Sequence, residues 1–176
     1  MTTRSFHPVW GPAPNPAGTF ALAEAFQRGR LPREQWTHEA HLLIASWFLW
    51  NAPLPQAVSA MRKAIIVYNH RKGIGKGGEG AYHETLTLFW MRVVDFFQHQ
   101  VAGREKPFGE VCAALLGSGF ADENLPLVCY SRARLHSSEA RAFWLEPDLM
   151  SLHKMLEHEK SQYGRSAVMH WGSERE

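Results

Sequence analysis

Thr37-His38-Glu39-Ala40-His41-Leu42-Leu43-Ile44-Ala45-Ser46-Trp47-Phe48-Leu49-Trp50 is the stretch on which the fold turns. Thr37 has the short hydroxyl side chain of a helix N-cap, and from Leu42 onward apolar residues fall at every angle about a helical axis rather than along one stripe. A helix from His38 to about Trp50 that is apolar all round belongs at the centre of a bundle. Asn51-Ala52-Pro53-Leu54-Pro55 ends it, because proline neither donates to the helical ladder nor lets its predecessor stay helical. The apolar run is too short to cross a bilayer, which takes about 20 residues.

Working outward, Thr19 is a candidate cap for a first helix through Gln27, with Phe20, Ala23 and Phe26 on one face and Gly29 as its stop. Leu31 to Trp36 reads as a short turn with Pro32 near its start. On the other side, Pro55 opens a third helix in which Val58, Met61, Ile65 and Tyr68 follow helical spacing, while Arg62 and Lys63 point away. Arg71-Lys-Gly-Ile-Gly-Lys-Gly-Gly-Glu-Gly80 breaks that helix with five glycines and reads as a mobile loop. A fourth helix starts near Tyr82 and carries Leu86, Phe89, Trp90, Val93 and Phe97 on one face. Shorter helices are expected over Phe108 to Leu116 and Glu123 to Tyr130. Ser131 and Ser137 are candidate caps for another helix through Trp144, stopped by Pro147, and Ser151 to Gln162 forms a polar terminal helix. Strict alternation of apolar and polar residues is scarce, so strands are not expected. The fold class is therefore all-α: an extended Pro/Gly-rich arm over residues 1–18, a single helical-bundle domain over 19–165 with a glycine-rich loop before its fourth helix, and a frayed tail over 166–176.

Composition agrees. The chain has 176 residues, 45% hydrophobic and 20% charged, which is enough apolar surface for one folded domain and excludes a disordered linker. Its formal charge of +2 is spread along the chain, which gives no electrostatic case for nucleic acid. The N-terminal residues lack the apolar segment of about 7 to 15 residues that a secretory signal needs, so the expected location is the cytoplasm, with no membrane partner. Cys112 and Cys129 sit singly in apolar contexts and read as reduced, buried thiols. Ten histidines and seven tryptophans are the unusual entries in the composition.

The chemistry concentrates in two first turns. His38 and His41 are three residues apart at the start of the central helix, a spacing that lets two imidazoles converge on one ion. The positive end of the helix dipole keeps both rings neutral, which is the ligand form. Tyr82-His83-Glu84-Thr85 opens the fourth helix in the same way. If the second and fourth helices start on the same side of the bundle, His83 completes a three-ligand metal site with His38 and His41, and Glu84 becomes a fourth ligand or a general base. Zinc, iron and manganese all accept such a set. The zinc-protease motif is absent, since its histidines stand four apart and these stand three apart. Glu34 is a candidate acceptor orienting His38. Arg132 and Arg141 are candidate holders of a small anionic substrate, because guanidinium forks match carboxylate and phosphate. The glycine-rich loop matches no nucleotide-binding motif and reads as a lid or a plain connection.

Three segments together, Trp36-Thr-His-Glu-Ala-His-Leu42, Tyr82-His-Glu-Thr-Leu-Thr87 and Tyr130-Ser-Arg with Ala140-Arg-x-x-Trp-x-x-Pro-Asp-Leu149, resemble the pattern of an uncharacterised bacterial helical family, over about residues 20 to 150. That resemblance implies no reaction. More distantly, histidines at helix ends in a bundle are similar to the DinB-like metal proteins, which gather three histidines around a divalent ion. There the pair comes from a later helix and stands four apart, so the similarity implies a metal but not the same arrangement.

The leading expectation is a divalent-metal-binding bundle, metal at His38, His41 and His83, acting as a hydrolase, isomerase or oxygenase on a small anionic or polar molecule. The competing one is a metal-free module that binds a small aromatic or acidic molecule in a pocket lined by Trp47, Trp50, Trp90 and Tyr68. A third has the aromatic faces form a homodimer interface.

Overall fold

The structure, a computed structural model, describes residues 16–75 and 81–172, with side chains through Arg165. Every regular element among the described residues is helical. α1 spans Pro16–Gln27, α2 His38–Asn51, α3 Leu54–Arg71 and α4 Glu84–Phe96, and α4 runs on through a wider π-helical segment, Phe97–Ala102. Then come α5 (Phe108–Leu116), the short α6 (Pro126–Cys129), α7 (Arg132–Leu135) and α8 (Ser138–Ala142), and the long α9 (Leu152–Gly172). Single 3₁₀ turns at Arg33–Gln35 and Gly119–Ala121 link them. No helix among the described residues is long and apolar enough to cross a membrane.

α2 is the buried centre, as its all-round apolar sequence requires: Leu42, Ile44 and Leu49 have at most 1% of their surface exposed. Thr37 Oγ1 accepts from the Ala40 N–H and caps it. At its other end Arg104 donates to the Leu49 and Trp50 carbonyls while its guanidinium lies 4.7 Å over the Trp50 ring, so a cation closes the negative end of the helix. α1 runs antiparallel to α2, with Phe20 against Trp47 and Phe26 stacked on Trp36. It begins at Pro16, three residues before the expected Thr19 cap; Thr19 is instead a buried residue inside the helix. The expected stop holds, since Gly29 takes a φ of 60° that a side chain would strain, and a Cβ there would run into Arg71.

α4 runs parallel to α2. His38 meets Trp90, with ring centroids 4.6 Å apart, and eight residues later Gln98 Nε2 donates to the Ser46 carbonyl at 3.1 Å. The two helices start on the same side of the bundle but are staggered, and His83 lies seven residues before the level of His38, about 10 Å along the axis. α3 returns between them and sets Arg62 against Glu84, which corrects the expectation that Arg62 points away.

Between α6 and α9 the chain lies across α4 through two one-turn helices, α7 and α8, each with a serine cap. Ser131 Oγ accepts from Arg134 N–H and Ser137 Oγ from Ala140 N–H, so both candidate caps are used, but the chain leaves the helix at Ala142 rather than Trp144. α5 has the bounds expected of it; α6 is shorter than expected because Pro126 fixes its start. α9 extends past Gln162 to Gly172, beyond the expected start of the frayed tail. The Pro/Gly arm up to residue 15 and the glycine-rich stretch 76–80 lie outside the described residues. Cys112 and Cys129 are free and buried, and burial pushes their thiols up to about 12 and about 11.

Candidate functional site

The motif residues act as ties between the bundle and the C-terminal chain. His38 Nε2–H donates to the Ala121 carbonyl at 3.0 Å while the ring rests edge-on against Trp90. A carbonyl only accepts, so this contact sets the tautomer. His83 is the N-cap of α4: its Nδ1 accepts from the Leu86 N–H at 3.2 Å and its Nε2–H donates to the Leu135 carbonyl at 2.8 Å. Both nitrogens are engaged. Burial, and the nearby charge of Arg141, hold its pKa below the ordinary histidine value. Two residues on, Thr85 Oγ1 donates to the Phe143 carbonyl and accepts from the Leu145 N–H, and Tyr130 Oη donates to the Leu145 carbonyl. Asp148 accepts from both the N–H and the hydroxyl of Ser131.

The expected three-histidine centre is not assembled. Among the described residues no three His, Cys, Asp or Glu side chains gather in a way that could hold a metal ion. For His83 the reason is specific: a neutral imidazole has one lone pair, and here it receives the Leu86 N–H. The stagger of α4 against α2 gives the same answer at the level of the backbone. His41 stands apart from the other two. Its ring centroid lies 3.5 Å from that of Trp36 in an edge contact, the ring makes no hydrogen bond to a described residue, and burial, with the neighbouring His38, takes its pKa down to about 3.

Glu84 has a different role from either one expected of it. Its carboxylate accepts from Arg62 Nε at 3.1 Å and from Arg62 Nη2, and it also accepts from the Tyr82 hydroxyl. Burial works against the charge on Glu84, but these donors outweigh it and keep the carboxyl below its ordinary value, while burial and the same contact push the Tyr82 hydroxyl up to about 12. A carboxylate so paired locks the start of α4 to α3 and is a poor base. Arg132 and Arg141 are both exposed, on α7 and α8, and line no cleft described below. The four rings of the expected aromatic pocket are also dispersed. Tyr68 packs with Phe26 and Trp36, Trp90 with Phe89 and His38, and Trp47 and Trp50 with Phe108.

Two clefts lie on the outer face of α4. A cleft of about 550 Å³ opens between the end of α4 and the start of α9, with Arg92, Asp95, Phe96, His99, Trp144 and Glu146 among the residues on its walls. A second, of about 470 Å³, lies beyond it towards Trp50 and Arg104, and Asp95 and His99 form the wall between the two. His99 Nδ1 donates to the Asp95 carbonyl at 2.9 Å and lies 3.4 Å from its carboxylate, at the point where α4 widens into the π-helical turn. Burial raises the Asp95 pKa against the opposing pull of His99 and Arg104.

One tryptophan organises the larger cleft. The Arg92 guanidinium lies 4.0 Å over the Trp144 ring, and Trp144 Nε1–H donates to Glu146 Oε1 at 2.7 Å. The Arg92 side chain makes no hydrogen bond or ion pair with any described residue, and it lines the cleft with its N–H donors unmatched there. The sequence held a faint sign of this face: Arg92, Asp95 and His99 recur at three- and four-residue spacing along the helix. Neither a family model, nor a curated protein, nor a solved structure matches the chain, and the functional reading rests on this geometry.

Proposed function

We propose that the protein is a small-molecule-binding module that needs no metal and takes an anionic ligand in the cleft between α4 and α9. The observation that carries this is Arg92: a guanidinium fixed in place by the Trp144 face, lining a cleft of suitable volume, with no acceptor for its donors among the described residues. Stacking on the indole restricts the side chain before a ligand arrives, so little freedom is lost when a carboxylate or phosphate docks. The test is to titrate benzoate, acetate and inorganic phosphate while following the indole N–H resonance of Trp144, assigned with Trp144→Phe. A saturable shift in wild type that is lost in Arg92→Gln, at unchanged melting temperature, is the expected result. No shift with any of the three, or an equal shift in the variant, overturns the reading.

A second reading keeps a divalent ion, zinc, iron or manganese, at His38 and His41, and through it a metal-dependent enzyme. It is favoured by His41, whose neutral ring has no hydrogen-bond partner among the described residues and neighbours a second imidazole. Elemental analysis of protein purified without a histidine tag tests it. Near-stoichiometric metal that disappears when both histidines are changed to Ala supports it; metal-free wild type whose stability is unmoved by added divalent ions removes it.

A further inference from the structure

We infer that the ligand of the α4–α9 cleft is a zwitterion, a molecule carrying a carboxylate and an ammonium on neighbouring atoms, as a free α-amino acid does. This rests on the proposed binding role of the cleft and names the chemistry it selects.

Trp144 holds two opposite charges at once. Its face carries Arg92 and its edge, through Nε1–H, carries one oxygen of Glu146. Both groups touch the same ring, so they are close, yet they form no ion pair with each other: Arg92 has no carboxylate oxygen within 4.0 Å among the described residues. Opposite charges held near one another but apart attract a ligand whose own charges are arranged the other way round. The carboxylate of an α-amino acid meets the Arg92 fork, and its ammonium meets the second oxygen of Glu146, which the indole leaves available.

The charge balance of the walls points the same way. Arg92 shares the cleft walls with two carboxylates, Asp95, which faces His99 and Arg104, and Glu146, which shares the Trp144 ring with Arg92. A plain anion docking on Arg92 lies beside the Glu146 charge, whereas a zwitterion brings a cation to offset it. The remaining walls set the body of the ligand. Phe96, Leu152 and the buried Leu156 offer apolar surface, so an amino acid with an apolar or aromatic side chain fits better than one with a charged side chain. The indole is the positioning residue for both charges, and Glu146, exposed, with its carboxylate held by the indole N–H and its backbone carbonyl by Arg134 Nε, is the element that turns an anion site into a zwitterion site.

The experiment uses three probes that share one side chain and differ in which charge they keep: L-phenylalanine, N-acetyl-L-phenylalanine without the ammonium, and L-phenylalaninamide without the carboxylate. Each is titrated into the full chain and followed at the Trp144 indole N–H. L-Phenylalanine is expected to bind at least tenfold more tightly than either blocked form. Glu146→Gln is expected to bring the amino acid down to the affinity of the N-acetyl form, and Arg92→Gln to that of the amide. N-acetyl-L-phenylalanine binding as well as L-phenylalanine overturns the zwitterion while leaving the anion site standing. The amide binding as well as the amino acid overturns both. A saturable response to benzoate or phosphate with none to the three probes overturns the inference alone. Because the probe comparison is made on wild type, it decides the matter even if a variant fails to fold.

Discussion

The two flanks of α4 use polar side chains in opposite ways. At its start, His83, Glu84 and Thr85 each have partners: a capped N–H and a carbonyl for His83, Arg62 and Tyr82 for Glu84, the Phe143 carbonyl and Leu145 N–H for Thr85. Two turns on, the Arg92 side chain is stacked on an indole and has no acceptor for its donors among the described residues. The difference teaches where to look for a ligand. Groups whose hydrogen-bonding capacity is already met inside the protein hold the fold together, and a group fixed in place with capacity left over is prepared for something that comes from outside. The motif that opens α4 belongs to the first class, whereas in the motif that opens α2 the His41 ring has no hydrogen-bond partner among the described residues.

The sharpest way to break this comparison is to remove one partner at the start of α4. Arg62→Met leaves the Glu84 carboxylate, only 11% exposed, with the Tyr82 hydroxyl alone. Breaking a fully buried pair costs about 3 to 5 kcal/mol, and since the Arg62 side chain is 41% exposed the expected loss is smaller, about 2 to 3 kcal/mol in urea unfolding. Binding in the α4–α9 cleft should be unchanged in the folded variant. A variant as stable as wild type would remove the structural role assigned to Glu84.

Acid should act on His41 next. Its folded pKa, about 3, is below the unfolded value, so the unfolded chain binds the extra proton first as pH falls. The contribution is fully present above about pH 6.5 and is lost progressively between there and the folded pKa. The expected loss between pH 6.5 and 4.5 is on the order of 2 kcal/mol, and His41→Met should flatten that part of the stability profile. The Glu84 pair weakens only lower, as its own depressed carboxyl titrates. Equal slopes for wild type and variant would show that the ring is not held neutral by its surroundings.

The fold was largely legible because it follows from patterns local in sequence: the all-round apolar run of α2, the Thr37 and serine caps, and the glycine stop at Gly29. The direction of α4 relative to α2 entered only as a condition, and the structure meets it. The stagger was not legible, since it is set by which residues of two distant helices interlock, Trp90 with His38 and Gln98 with Ser46, and no spacing within one helix encodes it. That one offset separates a metal triad from a helix cap. The partners of His83 were hidden for a similar reason: Leu135 contributes a backbone carbonyl, and any residue type carries one. Arg92 and Trp144 are fifty-two positions apart, and their stacking is invisible until the C-terminal chain is laid across α4.

His83 offers a finer cut, because its two nitrogens perform separable tasks. Asn keeps a side-chain acceptor suited to an N-cap and lacks the reach to the Leu135 carbonyl, whereas Ala loses both contacts. The expected costs are about 1 kcal/mol for His83→Asn and about 2 kcal/mol for His83→Ala, read from thermal unfolding. Neither should alter metal content. If His83→Ala instead removes a bound metal that wild type retains, the capping assignment fails and the three-histidine centre returns.

The smallest expected effect tests the rule behind the comparison from its other side. Tyr68 is fully buried against Phe26 and Trp36, and its hydroxyl has no hydrogen-bond partner among the described residues. Burial pushes that hydroxyl above its ordinary pKa, so it stays neutral at any working pH and contributes no charge. If an unpaired polar atom inside the protein only costs desolvation, Tyr68→Phe keeps the ring packing, removes the cost, and leaves stability equal or raised by up to about 1 kcal/mol. A loss of about 1 kcal/mol or more would mean that the hydroxyl is engaged, by water or a ligand lodged beside Trp36. In that event Tyr68 joins Arg92 among the groups with a partner from outside the chain, and His41, which touches the same indole, becomes the next residue to change.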